Sequence, residues 1–448
     1  MTQLHDLSII EATDLIQTGE ISPLELMKAL LKRANKLEPK LNIWVNLNQE
    51  AALESASNLS QGITDGTFKT LRGIPFGIKD IFFTKGVLTT ACSPIHASFV
   101  PDYDATTVAL LKDAGAIIMG KTVTTEFACM DPSPTLNPWN SAHTPGGSSS
   151  GSAVGVAARI FPAALGSQTA GSVLRPASYN GIVGMKPTFG RISRYGVFPV
   201  AHTLDTVGFF TRTVADAGKL LSVLSRPDDK DPITTHASTI NYPKTTNDAN
   251  PPRIGVLRQM FEATADSETL SCFGKLLGHM DEMGATILEV RTPADFDSLL
   301  AAHKITMAVE GASVHKSNFS ARPNDYGPQL TLMIQSGLKK SAVDYVKADE
   351  TQRSFRRFME EAVKDVDVLI TPSTPTEAPS DLSTTGDPVF QTPWTVCGFP
   401  AISIPSGLSQ SGLPLGVQLA AAPWDEATLL SAAQWCEQAL DLKIEPAL

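Results

Sequence analysis

Apolar side chains at Leu26, Ala29, Leu30, Ala34 and Leu37 recur at the spacing that lines one face of a helix. Ser22-Pro23-Leu24-Glu25 supplies the start: a capping hydroxyl, a proline at the first helical position and a glutamate three residues after the cap. A second helix is predicted over Gln49–Leu59, so residues 1–60 read as a helical N-terminal region. The pattern then changes. Leu71 to Phe83 is a short apolar run broken by Pro75 and Gly77, with Lys79 embedded between Ile78 and Ile81. Ala105–Ala114 reads as a helix closed by Gly115, followed by a strand over Ala116–Met119.

Further on, the short apolar runs Gly181–Gly184 and Val207–Phe210 precede a predicted helix over Val214–Leu224. Arg226–Pro252 is polar and rich in Asp, Thr, Asn and Pro, which reads as a long surface excursion rather than a domain boundary. Alternation then resumes, with strands over Arg253–Leu257, Ala285–Val290, Asp367–Thr371, Pro400–Pro405 and Gly412–Leu419. Helices are predicted between and after them at Ser267–Met283, Phe296–Val309, Ser341–Val363 and Asp425–Leu440. Strands and helices alternating along 448 residues predict an α/β fold, a mixed central β-sheet covered by helices on both faces.

Two small-residue runs, Thr144–Ser152 and Gly166–Val173, are dense in hydroxyls and glycines. Apolar segments such as Ala153–Ala158 and Ile182–Gly184 follow them, so they read as parts of a core rather than as linkers.

A net charge of −10 argues against a nucleic-acid-binding face as the main function. The N-terminus lacks the basic and apolar regions of a signal peptide, and no apolar run reaches the length of a membrane helix. A cytoplasmic protein without membrane partners is therefore expected. Cys92, Cys129, Cys272, Cys397 and Cys436 are scattered and odd in number, and the histidines form no H-E-x-x-H, so neither disulfide framework nor metal site is expected.

Two motifs match catalytic expressions in the wrong setting. Gly115–Thr122 fits G-x-x-x-x-G-K-[ST], but its variable residues are apolar and β-prone, and a helix rather than a strand comes before them. Gly147–Gly151 fits G-x-S-x-G with Ser149 at the centre, but an irregular loop precedes it where a nucleophile elbow needs a strand. His143, beside the serines, reads more readily as a loop histidine than as their base. What remains is hydroxyls and Lys79. That lysine is either a strand residue whose ammonium reaches water or a buried neutral amine able to take a proton.

Gly73–Asp80 around Lys79, Pro145–Ser152 and Gly166–Ala177 together resemble the amidase signature family of serine hydrolases. Further landmarks stand in family order: Glu126-Phe127-Ala128, Asn137-Pro138-Trp139, Gly184–Thr188, Asp205–Gly208 and Gly412–Gln418. The resemblance implies one domain over residues 1–448, with a catalytic core at about 65–225 and an α/β completion over 253–448. It implies Ser172 as nucleophile, Ser148 as proton relay after a cis peptide bond from Gly147, and Lys79 as base. The backbone N–H groups of Thr169, Ala170, Gly171 and Ser172 would form an oxyanion hole. Cys129, Met130, Gly147 and Trp394 are expected to bind substrate, and no cofactor is implied.

Two departures stand out. Gln168 replaces the family's common aspartate, and Arg175 lies three rather than two residues after the nucleophile. The expected activity is hydrolysis of C–N bonds in amides, anilides or carbamates, a urethanase included, by a monomer or homodimer. The alternatives are a glutamine-hydrolysing subunit of a tRNA-dependent amidotransferase and a non-catalytic binding protein on the same fold. The amidotransferase reading expects a substrate-binding arginine near Tyr326–Leu332, and none is there.

Overall fold

A computed structural model describes residues 3–61, 69–234, 250–292 and 295–448. Most of the predicted 226–252 excursion lies outside the described residues.

Among these, eleven strands form one sheet: β1 (Trp44–Leu47), β2 (Pro75–Lys79), β3 (Ile117–Thr122), β4 (Ala163–Gln168), β5 (Val183–Lys186), β6 (Thr206–Thr211), β7 (Arg253–Val256), β8 (Thr286–Glu289), β9 (Val368–Pro372), β10 (Ala401–Leu408) and β11 (Pro414–Ala420). Their order is β1-β3-β2-β4-β6-β5-β10-β11-β9-β7-β8. Pairing is parallel for β3-β2-β4 and for β9-β7-β8, and antiparallel elsewhere. Helices cover the sheet, so its central strands are buried along their whole length and carry continuous apolar runs rather than alternation.

Local chemistry explains the elements. The helix Pro23–Leu41 begins as its capping box predicts: Glu25 N–H donates to Ser22 Oγ at 3.1 Å and Ser22 N–H to Glu25 Oε2 at 2.8 Å. The sequence pattern did not mark strand β1, which pairs antiparallel with β3 at the sheet edge. Nor did it mark the helix Pro328–Lys339. The helix starting at Phe296 runs on to Ala321 instead of stopping near Val309, straight through Gly311. That glycine serves packing rather than termination: a Cβ on Gly311 would lie 2.7 Å from Met333 Cε, and one on Gly337 only 1.9 Å from Ala308 O. Glycines on both helices let the two backbones approach.

The two decoy motifs are structural. Lys121 of β3 is fully buried, donating to Phe82 O at 2.5 Å and Thr89 Oγ1 at 2.7 Å and pairing with Asp80 at 3.4 Å. Ser149 is also fully buried, against the backbone of Ser167.

Candidate active site

Strands β2 and β4 run side by side in parallel with Ile78 opposite Leu165, which sets Lys79 at the end of one beside Ser167 near the end of the other. The Lys79 Nζ lies 2.7 Å from Ser148 Oγ and 2.8 Å from Ser167 Oγ. Lys79 is fully buried, and desolvation lowers its pKa from the ordinary lysine value to about 7, against a partly opposing field from Asp205. No carboxylate forms an ion pair with it among the described residues. The Gly147–Ser148 peptide bond is cis.

Sequence reasoning missed Ser167 as a partner of the lysine, although it stands inside the run Gly166–Val173. Neighbouring serines have backbone duties: Ser150 Oγ donates to Gly146 O at 3.0 Å and Ser152 Oγ to Leu165 O at 2.8 Å.

The loop from Thr169 to Ser172 joins β4 to the helix Leu174–Asn180, and its carbonyls are individually tied down. Thr169 O accepts from His303 Nε2 at 2.9 Å, Ala170 O from Thr395 Oγ1 at 2.8 Å and Gly171 O from Arg175 N–H at 3.0 Å. In a trans peptide the C=O and the following N–H point opposite ways. The N–H groups of Ala170, Gly171 and Ser172 are thereby turned away from those anchors, and no acceptor takes them among the described residues. Thr169 ties its hydroxyl to Asp205 Oδ1 at 2.6 Å. A Cβ on Gly171 would lie 2.6 Å from Gln391 Oε1, so this position has no room for a side chain.

Both departures from the family pattern find a role. Gln168 Oε1 accepts the N–H groups of Val173 and Leu174 at 3.0 and 3.1 Å, so a neutral amide caps the helix that follows Ser172. Arg175 is buried, and its Nη2 donates to Gly147 O at 2.8 Å and Thr385 Oγ1 at 2.9 Å, clamping the carbonyl just before Ser148.

Ser172 lines a cavity of about 500 Å³ together with Cys129, Met130, His303 and Thr392; Lys304 and Asp387, both exposed, also line it. Burial pushes the Cys129 thiol well above its usual pKa, so it stands there as a neutral group. Two residues expected to bind substrate do not line this cavity. Trp394 is wholly buried in a second apolar cluster with Leu174 and Phe399, and Thr392, one helical half-turn earlier, reaches the cavity instead. Gly147 is buried outside the cavity, its side-chain direction closed by the methyls of Thr385 and Thr125.

The single mixed sheet brings hydroxyls and a buried amine together at one strand end, the kind of fold on which serine hydrolases are built. The amidase family model matches residues 25–430, and the chain belongs to that family. It is 35% identical to a glutamyl-tRNA(Gln) amidotransferase subunit of Halothermothrix orenii, over 98% of both chains. Peptide amidase from Stenotrophomonas maltophilia superposes with a TM-score of 0.85 at 26% identity, covering 98% of each chain. A protein from a vestigial complex linked to the origins of an s-triazine catabolic enzyme superposes at 0.91 with 28% identity, covering 98% of this chain and 99% of the other. No helix among the described residues is long and apolar enough to cross a membrane.

Proposed function

We propose that the protein hydrolyses amide C–N bonds through an acyl-enzyme on Ser172, with Ser148 as proton relay and Lys79 as base. The observation that carries this reading is the buried Lys79 amine held between two hydroxyls, with no carboxylate ion-paired to it among the described residues. A neutral amine has two N–H groups and one lone pair. One N–H given to Ser167 Oγ leaves the lone pair for the Ser148 hydroxyl. Ser148 then takes the Ser172 proton as Ser172 Oγ bonds to the substrate carbonyl carbon. Negative charge on the carbonyl oxygen is met by the unengaged N–H groups of Ala170, Gly171 and Ser172. The proton returns to the leaving nitrogen, the C–N bond breaks, and water repeats the sequence on the ester. Cys129 and Met130 serve as walls for the acyl group.

Two substrate readings follow. The sequence relatives favour a glutamine-hydrolysing subunit of an amidotransferase over a free-standing amidase, because the likeness to such subunits runs through 98% of both chains. Lys304 and Asp387 bring opposite charges to the cavity, which suits the carboxylate and ammonium of an amino-acid amide. The structural likeness to peptide amidase keeps the free-standing reading, extended to anilides and carbamates, in view.

Turnover of glutamine, peptide amides, anilides and aryl carbamates by wild type and Ser172→Ala tests the proposal. Glutamine turnover that needs a co-expressed partner supports the subunit reading, and turnover of other amides by the isolated chain supports the free-standing one. Wild-type rates in Ser172→Ala would sink the nucleophile assignment.

A further inference from the structure

A second cavity of about 480 Å³ reaches strands β4 and β6, and the mechanism above does not use it. Ser167 lines it, and Ser167 is the same residue whose hydroxyl accepts from Lys79. Its walls are apolar: Ile81, Val197, Phe198, Val200, Val207 and Ile233. Ser167 and Val207 are paired across β4 and β6 and present their side chains to the same face, so the Ser167 hydroxyl itself stands between this cavity and Lys79.

The polar groups around it are unevenly satisfied. Arg194 gives its Nε to Asp231 at 3.3 Å and its Nη1 to the carbonyls of His202 at 2.6 Å and Asp205 at 3.3 Å. Asp205 is held by Thr169 and by the N–H groups of Val200 and Ala201. Lys230 is exposed: its ammonium stands 5.0 Å from the Tyr195 ring centre within the field of Asp228, and no ion pair within 4 Å holds it among the described residues. At the inner end, the Ser167 hydroxyl accepts from Lys79 and donates to no protein group among the described residues. A hydroxyl has one proton to give, so a donor is left over on the wall of an apolar cavity. A cation with an aromatic neighbour at one side, apolar walls and a spare hydroxyl describe a site for a flat, weakly polar anion.

We propose that this cavity binds a small aromatic monocarboxylate, its ring between Val197, Phe198 and Val207 and its carboxylate at Lys230, and that occupancy acts on Lys79 through Ser167. The ring covers the exposed side of the Ser167 hydroxyl, excludes water there and fixes the hydroxyl's rotation, and the amine that shares it feels the change. The second half of this statement rests on Lys79 being the base; the first half does not.

The probe is 1-naphthoate, titrated by calorimetry into wild type and into enzyme whose Ser172 has been blocked with a fluorophosphonate, so that the substrate cavity is filled. Binding of one equivalent in both forms is expected, weakened at least about tenfold by Val197→Trp, which fills the cavity. A change at an exposed side chain, Lys230→Glu, should weaken it at least about fivefold. Coupling is read from the rate at which the fluorophosphonate labels Ser172: 1-naphthoate should change it at least about threefold in wild type. In Val197→Trp the probe should leave that variant's own labelling rate unchanged. Loss of binding in the blocked enzyme, or binding unmoved by both substitutions, overturns the site. Binding without any change in labelling overturns the coupling alone. Failure of the proposed hydrolysis appears separately, as no turnover of any amide.

Discussion

Lys79 and Lys186 are both fully buried, and burial brings both from the ordinary lysine value to about 7. Their partners differ in kind. Lys79 touches the hydroxyls of Ser148 and Ser167, which donate as well as accept. Lys186 donates to the carbonyls of Pro187 at 3.0 Å and Phe399 at 2.5 Å, which only accept. Lys186 therefore fastens two chain segments, whereas Lys79 has the neighbours that the proposed proton path requires. A lowered pKa identifies a buried amine, and the neighbours decide whether it is a base or a clasp. Lys121 makes the same point with an ion pair to Asp80 and a pKa brought down only to about 8.

The largest expected contrast is between Lys79→Met and Lys186→Met. Loss of a positioned base costs about 10³-fold in kcat/KM, whereas Lys186→Met should stay within about threefold. Equal losses in two variants with wild-type circular dichroism would dissolve the distinction.

The pH profile comes next. A base works only when unprotonated, so a folded-state value of about 7 means kcat/KM rises through that pH and levels off above it. Between pH 6 and pH 8 the gain is about tenfold. Lys186→Met should keep this limb unmoved, and a limb near the ordinary lysine value in wild type would show that burial does not set the base.

Ser167→Ala removes one of the two hydroxyls on Lys79 and should lower kcat about tenfold with KM unchanged. Ser167→Thr should recover most of the loss; an equal drop for Thr and Ala would mean that Ser167 only packs. Smallest in catalysis is the effect of Lys186→Met on stability: two buried carbonyls lose their donor, which costs about 1–3 kcal/mol, measured by urea unfolding.

The strand–helix alternation and the mixed sheet were legible because apolar runs at Val207–Phe210, Asp367–Thr371 and Gly412–Leu419 are long and well bounded. The edge strand Trp44–Leu47 was not: its residues are only half-buried, so the apolar signal is diluted. The N-terminal helix Ile9–Thr18 has a readable signal, a capping box at Ser8 and Glu11, within the region read only as helical. At the site, Lys79 and the serine runs stand out locally. The Lys79–Ser167 contact depends on parallel register between strands 88 residues apart, which no local pattern carries. The burial of Trp394 comes from packing with Leu174 and Phe399 that only the folded chain reveals.

The loop beside Ser172 is held by His303 and Thr395, 134 and 225 residues further along the chain than the carbonyls they grip. During synthesis the serines and the lysine leave the ribosome long before these anchors exist. The chain thus acquires its hydroxyls early and its competence late, and an incomplete copy holds the reactive groups without the frame that would let them act.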